Sequence, residues 1–161
     1  MIRTVSLDTY LDARPGQVWD EVNRPRLLRF VAHPLIRFDP VDPAVFPDCW
    51  QDRDYLVAMS WRGILPLGRQ TIRISRPPSR DGRRLLLDDG QSAMIRRWHH
   101  VVSVEAEGAG TRYRDRIEIE AGLLTPLIAF WARHFYAHRQ RRWRSLVRAG
   151  FDYDRAESAR P

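Results

Sequence analysis

The strongest candidates for a chemical role in this sequence are a carboxylate and an imidazole in its last third. Residues 111–121 alternate between apolar and polar side chains, and Asp115 falls in the apolar set between Tyr113 and Ile117. This alternation predicts a strand with Asp115 on its buried face. A buried carboxylate is destabilising unless it is paired or hydrogen-bonded. We expect His100, on the preceding strand, to lie diagonally opposite Asp115 and within reach of it.

Three roles are open for Asp115 on this evidence. It can be structural, paired either with His100 or with Arg139 or Arg142 of the last helix. It can contact a bound molecule. The Asp–His pair can also act as a general acid and base inside an apolar cup. The sequence favours the structural role, and ligand contact is the next alternative.

A hairpin is needed to bring Asp115 and His100 together. Residues 98–106 and 111–121 have the pattern of two strands joined by a turn at 107–110, which contains two glycines. In this register one face is apolar and the other is charged, with Glu105 opposite Arg112. A slip of one residue would place the charges inside. The pattern therefore predicts a hairpin with one buried face.

A long amphipathic helix is predicted after the hairpin, from about Thr125 to Val147. Thr125 is a capping residue, and Pro126 suits the first helical position. One face of this helix begins apolar and aromatic and becomes partly basic towards the C-terminus. That stripe consists of Leu124, Ile128, Trp131, Phe135, His138, Arg139, Arg142 and Leu146. We expect the helix to lie across a sheet, with Trp131 and Phe135 facing it.

The rest of the chain predicts further strands and two short helices. The predicted strands are Ile2–Leu11, Leu35–Phe38, Arg53–Ile64, Arg69–Ser75, Arg83–Asp88 and Ser92–Ile95, and the predicted helices are Gln17–Asn23 and Arg26–Ala32. Consecutive antiparallel strands with helices segregated at the ends predict a single α+β domain over residues 1–150. Residues 151–161 are polar and lack periodicity, so we expect a flexible C-terminal tail there.

Composition narrows the class of protein. A chain of 161 residues is long enough for one domain with a real core, and no apolar run approaches the ~20 residues of a membrane span. The first residues begin a strand pattern without a signal-peptide core. The single cysteine, Cys49, excludes an intrachain disulfide. These features predict a cytoplasmic protein.

The net charge of +7 comes from arginine alone, because the sequence contains no lysine. A nucleic-acid surface usually mixes the two residues, so we predict no nucleic-acid partner. The last helix contains several arginines and no acid, which allows an anionic partner or an anionic membrane surface; a solvated face is favoured over both. These arginines are Arg133, Arg139, Arg141, Arg142, Arg144 and Arg148.

Searches for cofactor and metal motifs give nothing in this sequence. Gly-rich phosphate loops and the GxSxG, HExxH and CxxC patterns are all absent. His99 and His100 are adjacent on a strand and therefore point to opposite faces. His134 and His138 have the spacing of a metal-binding pair but no acidic third ligand nearby. We predict no cofactor and no metal site.

The order of elements and several short motifs resemble the helix-grip superfamily of START-like and pollen-allergen-like proteins, also called SRPBCC. The N-terminal motif is ARPGQVW at 13–19, directly after the first strand. The C-terminal motifs are Trp98-x-His100, Gly110-Thr111 and Asp115-x-Ile117, followed by Gly122 and the arginine-rich helix. These are similar to a bacterial branch often described as ligand-binding or cell-division-inhibitor-like.

The resemblance implies a curved seven-stranded antiparallel sheet around the C-terminal helix, with an apolar cavity between them. It implies non-catalytic binding of a small lipid-like or aromatic molecule. Because Arg139 and Arg142 follow the apolar part of the helix stripe, we expect one of them to meet a polar or acidic end of that molecule. The alternative is an enzyme of the polyketide cyclase/dehydratase type that uses Asp115 and His100, and a protein-interaction module is a third interpretation. The expected ligand contacts are Tyr55, Trp61, Trp98, His100, Tyr113, Asp115, Trp131, Phe135, Arg139 and Arg142.

Overall fold

Most of the predicted elements are present in a computed structural model, which describes residues 1–79 and 81–159. The strands are β1 (Arg3–Leu11), β2 (Ile36–Asp42), β3 (Asp54–Trp61), β4 (Leu65–Ser75), β5 (Arg84–Gly90), β6 (Arg97–Glu107) and β7 (Gly110–Glu120). The helices are α1 (Pro15–Val22), α2 (Pro25–Ala32), α3 (Thr125–Arg148) and α4 (Tyr153–Ser158), with a short 3-10 helix at Gly122–Leu124. The fold class is α+β, as predicted.

All seven strands pair antiparallel in one sheet, in the spatial order β1-β7-β6-β5-β4-β3-β2. The predicted register of the β6–β7 hairpin is confirmed, because Ala106 pairs with Thr111 and Glu105 pairs with Arg112. β7 is an interior strand with β1 on one side and β6 on the other. Asp115 therefore lies at the centre of the buried face of the sheet.

The long helix α3 lies against β1, β7 and α2. Phe135 faces the core as predicted, but the prediction for Trp131 is wrong, because its side chain is 39% exposed. The buried face of α3 also includes Tyr136, Gln140 and Trp143, which the predicted stripe leaves out. Compared with the prediction, the buried face of α3 is thus turned about the helix axis towards these residues, because β1 and α2 cover that side.

The segment that connects β5 and β6 differs from the prediction. Ser92–Ile95 was expected as a strand, but it forms a tight turn. The backbone N–H of Ser92 donates to the carbonyl of Ile95 at 3.1 Å, and the N–H of Ile95 donates to the Ser92 hydroxyl at 3.2 Å. Because these backbone groups form their hydrogen bonds within the segment, the segment does not extend the sheet.

The C-terminal segment is not a frayed tail over the described residues 151–159. α4 is capped by Asp152, whose Oδ1 accepts a hydrogen bond from the N–H of Arg155 at 3.0 Å. Tyr153 and Ala156 are buried, and the Tyr153 hydroxyl is 2.5 Å from Glu21 on α1. Two apolar side chains in a polar segment are enough to hold one short helix against the core.

The junction between β7 and α3 depends on Thr125. Its hydroxyl accepts a hydrogen bond from the N–H of Ala121 at 2.9 Å and donates to the carbonyl of Gly122 at 2.8 Å. Gly122 has a φ of +57°, a left-handed conformation that glycine adopts without strain. Thr125 thus fixes the turn that leads from the sheet into the helix.

Candidate functional site

Asp115 is hydrogen-bonded to three side chains in the core. Its Oδ1 lies 2.8 Å from His100 Nε2 and 3.0 Å from the Tyr113 hydroxyl, and its Oδ2 lies 3.0 Å from Gln140 Nε2. Asp115 is 0% exposed and His100 is 4% exposed. The diagonal Asp–His pair predicted from the strand register is therefore present, and Gln140 connects it to α3.

Asp115 is ionised and His100 is neutral at neutral pH, for different reasons. Burial alone would raise the pKa of Asp115, but the hydrogen bond with His100 and the positive charge of Arg139 together lower it below its ordinary value. Burial lowers the pKa of His100 by more than Asp115 raises it. A neutral His100 that donates from Nε2 to the carboxylate has an acceptor at Nδ1.

Arg139 is a buried cation whose Nε has no hydrogen-bond partner among residues 1–79 and 81–159. It is 8% exposed, and its guanidinium lies 4.7 Å from the centre of the Tyr136 ring and 5.8 Å from that of Phe135. Cation–π contacts of this kind offset part of its desolvation. A buried donor without an acceptor is uncommon in a folded protein, so this side chain marks a place where a polar group is missing.

A second unpartnered polar atom lies opposite His100 on the neighbouring strand. Asp88 of β5 pairs in register with His100, and its Oδ1 is buried without a hydrogen-bond partner. Burial raises the pKa of Asp88 to about 7, although the charge of Arg139 acts in the other direction. Asp88 therefore changes its protonation state near neutral pH, while Asp115 stays ionised.

Five polar side chains border one interior cavity of about 50 Å³: Arg24, Asp88, His100, Tyr113 and Arg139. Arg24 is exposed at the surface. Its other walls come mainly from apolar side chains of α1, α2, β4 and β5, and from Trp50. This volume accommodates a few water molecules, whereas pockets for drug-sized ligands are roughly 300 Å³ or larger. The interior therefore contains a small polar cavity where the resemblance implies a larger apolar one.

Most of the aromatic residues predicted to contact a ligand are buried. Tyr55, Trp98, Tyr113 and Phe135 are all in the core. Tyr113 borders the interior cavity, Trp98 stacks on Tyr136 with ring centres 6.3 Å apart, and Tyr55 packs against Trp50 at 4.8 Å. Of these four predicted contacts, only Tyr113 therefore lines the cavity.

Two of the predicted inward-facing residues are at the surface instead. Trp61 is 44% exposed and Trp131 is 39% exposed. Trp61 ends β3, where the chain turns into β4, and Trp131 lies in the second turn of α3, stacked on Phe135 at 4.8 Å. The inward orientation predicted for both is wrong, because strand and helix periods do not show where the covering elements end.

The structure also separates Arg142 from Arg139. Arg142 Nε donates to the carbonyl of Phe30 at 3.1 Å, its guanidinium lies 4.0 Å from the centre of the Phe30 ring, and it pairs with Glu157 of α4. It borders a wide, open depression of about 1010 Å³ between α2, β2 and α4. The two arginines therefore face different spaces and do not meet the same ligand group.

Sequence reasoning missed Asp88 and Gln140. On β5 the alternation of Leu86 with Asp88 places the acid on the buried face, so pairing β5 with β6 would have brought it opposite His100. Gln140 follows Tyr136 by one helical turn, outside the predicted stripe. Nothing local to the sequence distinguishes Gln140 from a solvated glutamine.

The histidine pair of α3 forms backbone contacts. His134 Nδ1 lies 2.9 Å from the carbonyl of Phe130, and His138 Nε2 lies 2.9 Å from that of His33. Within residues 1–79 and 81–159, no three His, Cys, Asp or Glu side chains are grouped in a way that could hold a metal ion. Over the same part of the chain, no helix is both long and apolar enough to cross a membrane.

Solved structures with the same architecture define the class of protein. Protein CV1439 from Chromobacterium violaceum is 13% identical with a TM-score of 0.64, over 89% of this chain and 96% of that one. Norcoclaurine synthase from Thalictrum flavum is 8% identical with a TM-score of 0.56, over 86% and 91%. Ara h 8.0201 is 7% identical with a TM-score of 0.56, over 92% and 99%. These identities show the fold alone, which is the helix-grip fold that the sequence resemblance implies.

The family within this class follows from the sequence. Residues 9–147 match the family described as Domain of unknown function (DUF8410). Because this match covers well over half of the chain, the protein belongs to that family. Among curated proteins, none is significantly similar to the chain.

Proposed function

We propose that this protein binds a small, largely apolar molecule between the sheet and α3, without chemical conversion, and that Arg139 receives its polar or acidic end. The observation that carries the proposal is the buried Nε of Arg139, which has no hydrogen-bond partner and belongs to a residue that borders the interior cavity. A buried cation is stabilised when an acceptor or an anion meets it with good geometry. The planar fork of arginine suits a carboxylate or a carbonyl in particular.

Asp88 limits which chemical groups the polar end of the ligand can carry. Its buried Oδ1 borders the same cavity, and its pKa of about 7 leaves a large protonated fraction at neutral pH. A protonated Asp88 donates a hydrogen bond, whereas an ionised Asp88 repels an acid. The pair of Asp88 and Arg139 thus favours a ligand carboxyl, or a carbonyl beside a hydroxyl, and favours an acid more strongly below pH 7.

The size of the cavity limits what binds without rearrangement. A volume of about 50 Å³ holds the polar end of a ligand and little of its apolar body. The body requires space that side chains now occupy. Phe135 can yield such space, because its ring lies 5.8 Å from the Arg139 guanidinium and its stacking partner Trp131 is partly exposed. Binding therefore involves repacking of rings beside the first half of α3.

Thermal-shift measurements with fatty acids, aromatic polyketides and sterols test this proposal on the wild type and on Arg139→Gln. A ligand at 100 times its dissociation constant stabilises the fold by about 2.7 kcal/mol. We expect a carboxylate to raise the melting temperature of the wild type, and its methyl ester or the Arg139→Gln variant to show a smaller shift. Arg141→Gln, an exposed position on the same helix, is the matched control.

Two results would count against the proposal. If no compound class raises the melting temperature and native mass spectrometry finds no co-purified molecule, ligand binding is wrong. If acid and ester give equal shifts in both the wild type and Arg139→Gln, an apolar site remains but Arg139 has no part in it.

A second candidate, an enzyme of the polyketide cyclase/dehydratase type, is favoured by one arrangement. His100 borders the cavity while Asp115 lies behind it at 2.8 Å, and a carboxylate that orients a neutral imidazole is suited to general base catalysis. Mass spectrometry of the compounds that bind decides between the two functions. If the wild type converts a bound compound, and His100→Gln still binds that compound but no longer converts it, the protein is an enzyme. If every bound compound is recovered unchanged, the result supports binding alone.

A further inference from the structure

The exposed apolar side chains are concentrated at one end of this molecule. Antiparallel pairing puts the starts of β1, β4 and β6 and the ends of β3, β5 and β7 at one edge of the sheet, where α3 also begins. Fourteen large hydrophobic side chains of the described residues are exposed, and twelve of them lie at this edge. The twelve are Met1, Ile2, Trp61, Ile64, Leu65, Leu67, Met94, Leu123, Leu124, Leu127, Phe130 and Trp131. We call this region, formed by residues 1–3, 60–69, 91–97 and 121–134, the apolar end.

The charges of the apolar end have a single sign. Its four segments contain six arginines and no aspartate or glutamate. Those arginines are Arg3, Arg62, Arg69, Arg96, Arg97 and Arg133, and all are exposed. The nearest acids along the chain are already engaged, since Glu118 pairs with Arg97, and Glu120 lies 3.8 Å from the N-terminal amine. The apolar side chains are therefore surrounded by cations that few carboxylates neutralise.

The opposite end of the molecule has few exposed apolar side chains and charges of both signs. The connection between β2 and β3 lies there, and residues 42–54 contain four aspartates and one arginine. Two of those aspartates, Asp52 and Asp54, form ion pairs with arginines of β4 and of the segment after it. The two exposed hydrophobic residues outside the apolar end, Val45 and Tyr10, are also on this side, where β2 and β1 end. Exposed apolar residues accompanied by cations alone are thus concentrated at the apolar end, which directs that end towards a negatively charged surface.

We propose that the apolar end docks on the surface of an anionic lipid bilayer. Exposed apolar patches on soluble proteins mark interaction sites, and aromatic, leucine and arginine side chains together are typical of interfacial binding. Trp61, Phe130 and Trp131 supply rings suited to the headgroup level, while the arginines meet lipid phosphates. A second copy of the chain is a poorer occupant, because face-to-face contact would bring the six arginines of each copy together. Docking requires no molecule in the interior cavity, so it is independent of the function proposed above.

Sedimentation with lipid vesicles tests the apolar part of this proposal. We expect the wild type to bind vesicles of phosphatidylglycerol and phosphatidylcholine at a 3:7 ratio, and to bind pure phosphatidylcholine at least about tenfold more weakly. The double variant Ile64→Ser/Phe130→Ser, which changes two segments of the apolar end, should reduce partitioning by at least about tenfold. The matched control is Val45→Ser/Tyr10→Ser, which removes two hydrophobic residues of similar size at the opposite end and should bind as the wild type does.

Arginine variants test the electrostatic part. Removal of Arg62 or Arg133 by substitution with Ser should weaken binding to the anionic vesicles by about fivefold each, and raised salt should reduce the difference between these variants and the wild type. Arg14→Ser, at an exposed position before α1, should have no effect. Melting temperatures of all variants establish that each one is folded.

Three results would overturn the proposal. The first is failure of the folded wild type to bind either vesicle preparation. The second is equal loss of binding in the apolar-end variant and in its control, which would mean that the position of the hydrophobic residues is irrelevant. The third is a dimer in analytical ultracentrifugation without lipid that Ile64→Ser/Phe130→Ser dissociates, which would identify a second copy as the occupant.

Discussion

The two halves of α3 reverse the usual relation between polarity and burial. The first half contains Leu127 and Phe130, which are each 65% exposed, and Leu123, just before the helix, is 100% exposed. The second half contains Arg139 and Arg142, each 8% exposed. Apolar side chains are thus in solvent and charged ones are in the core, within one continuous helix.

The reversal has a structural cause. The second half of α3 is covered by α2, by α4 and by β1, so even its polar residues are enclosed. There Asp115 and its partners neutralise one buried arginine, and α4 supplies Glu157 to the other. The first half begins at the edge of the sheet, where little covers it. Burial in this helix depends on which elements pack against each turn rather than on the polarity of the side chains in that turn.

The largest expected effect concerns the covered half, where Trp143 is 1% exposed. We expect Trp143→Ala to reduce the free energy of unfolding by about 4 kcal/mol, because the deleted ring leaves a cavity against Tyr113 and Phe151. Urea unfolding at pH 7 measures this. A loss below about 1 kcal/mol would mean that the second half of α3 does not hold the helix against the core, and that the two halves do not differ in their contribution to stability.

The polar part of the covered half should be nearly as sensitive. Asp115→Ala should reduce the free energy of unfolding by about 3 kcal/mol, because three donors and the charge of Arg139 lose their acceptor. Asp115→Asn should lose less, since its Oδ1 still accepts from His100 and Tyr113. The pKa of Asp115 is lowered in the folded state, so its contribution is complete above about pH 4 and is lost as the pH falls through the folded pKa.

Urea unfolding of the wild type and of Asp115→Ala at pH 7 and at pH 3 measures the contribution of Asp115 to the free energy of unfolding at each pH. We expect the gap between wild type and Asp115→Ala to narrow at the lower pH. A gap that is the same at both pH values would show that the carboxylate charge is not what stabilises the cluster.

Asp88 should behave in the opposite sense. Its folded pKa of about 7 lies above the ordinary value of 3.8, so the folded protein holds this proton more tightly, and the stability due to Asp88 falls as the pH rises from about 4 to 7. Asp88→Asn should therefore match the wild type near pH 4 and exceed it at pH 8 by on the order of 2 kcal/mol. Chemical unfolding at both pH values checks this, and a variant less stable than the wild type at pH 8 would contradict it.

The smallest effect is expected in the exposed half. Trp131 is stacked on Phe135 but partly in solvent, so Trp131→Ala should cost only about 1 kcal/mol. The same urea experiment as for Trp143→Ala measures it, and the two tryptophans of one helix serve as controls for each other. Equal losses at both positions would mean that α3 is buried evenly along its length.

Much of the fold could be predicted from the sequence, because strand and helix periods are local properties of the chain. The β6–β7 hairpin is the clearest example: its charge alternation permits one register, and that register alone brings Asp115 to His100. The start of α3 at Thr125 and its length also follow from local signals. α4 does not, because a helix of six residues held by Tyr153 and Ala156 has no period to recognise.

The sequence by itself determined the β6–β7 hairpin, the fold class and the Asp–His pair, since each depends on spacing within neighbouring segments. Only the tertiary structure decided that Asp88 joins this pair, that Arg139 and Arg142 face different spaces, and that Trp61 and Trp131 are exposed. These facts depend on which elements cover a given face and where the cover ends. Such contacts join residues far apart in the chain, and a periodic pattern along one segment carries no information about them.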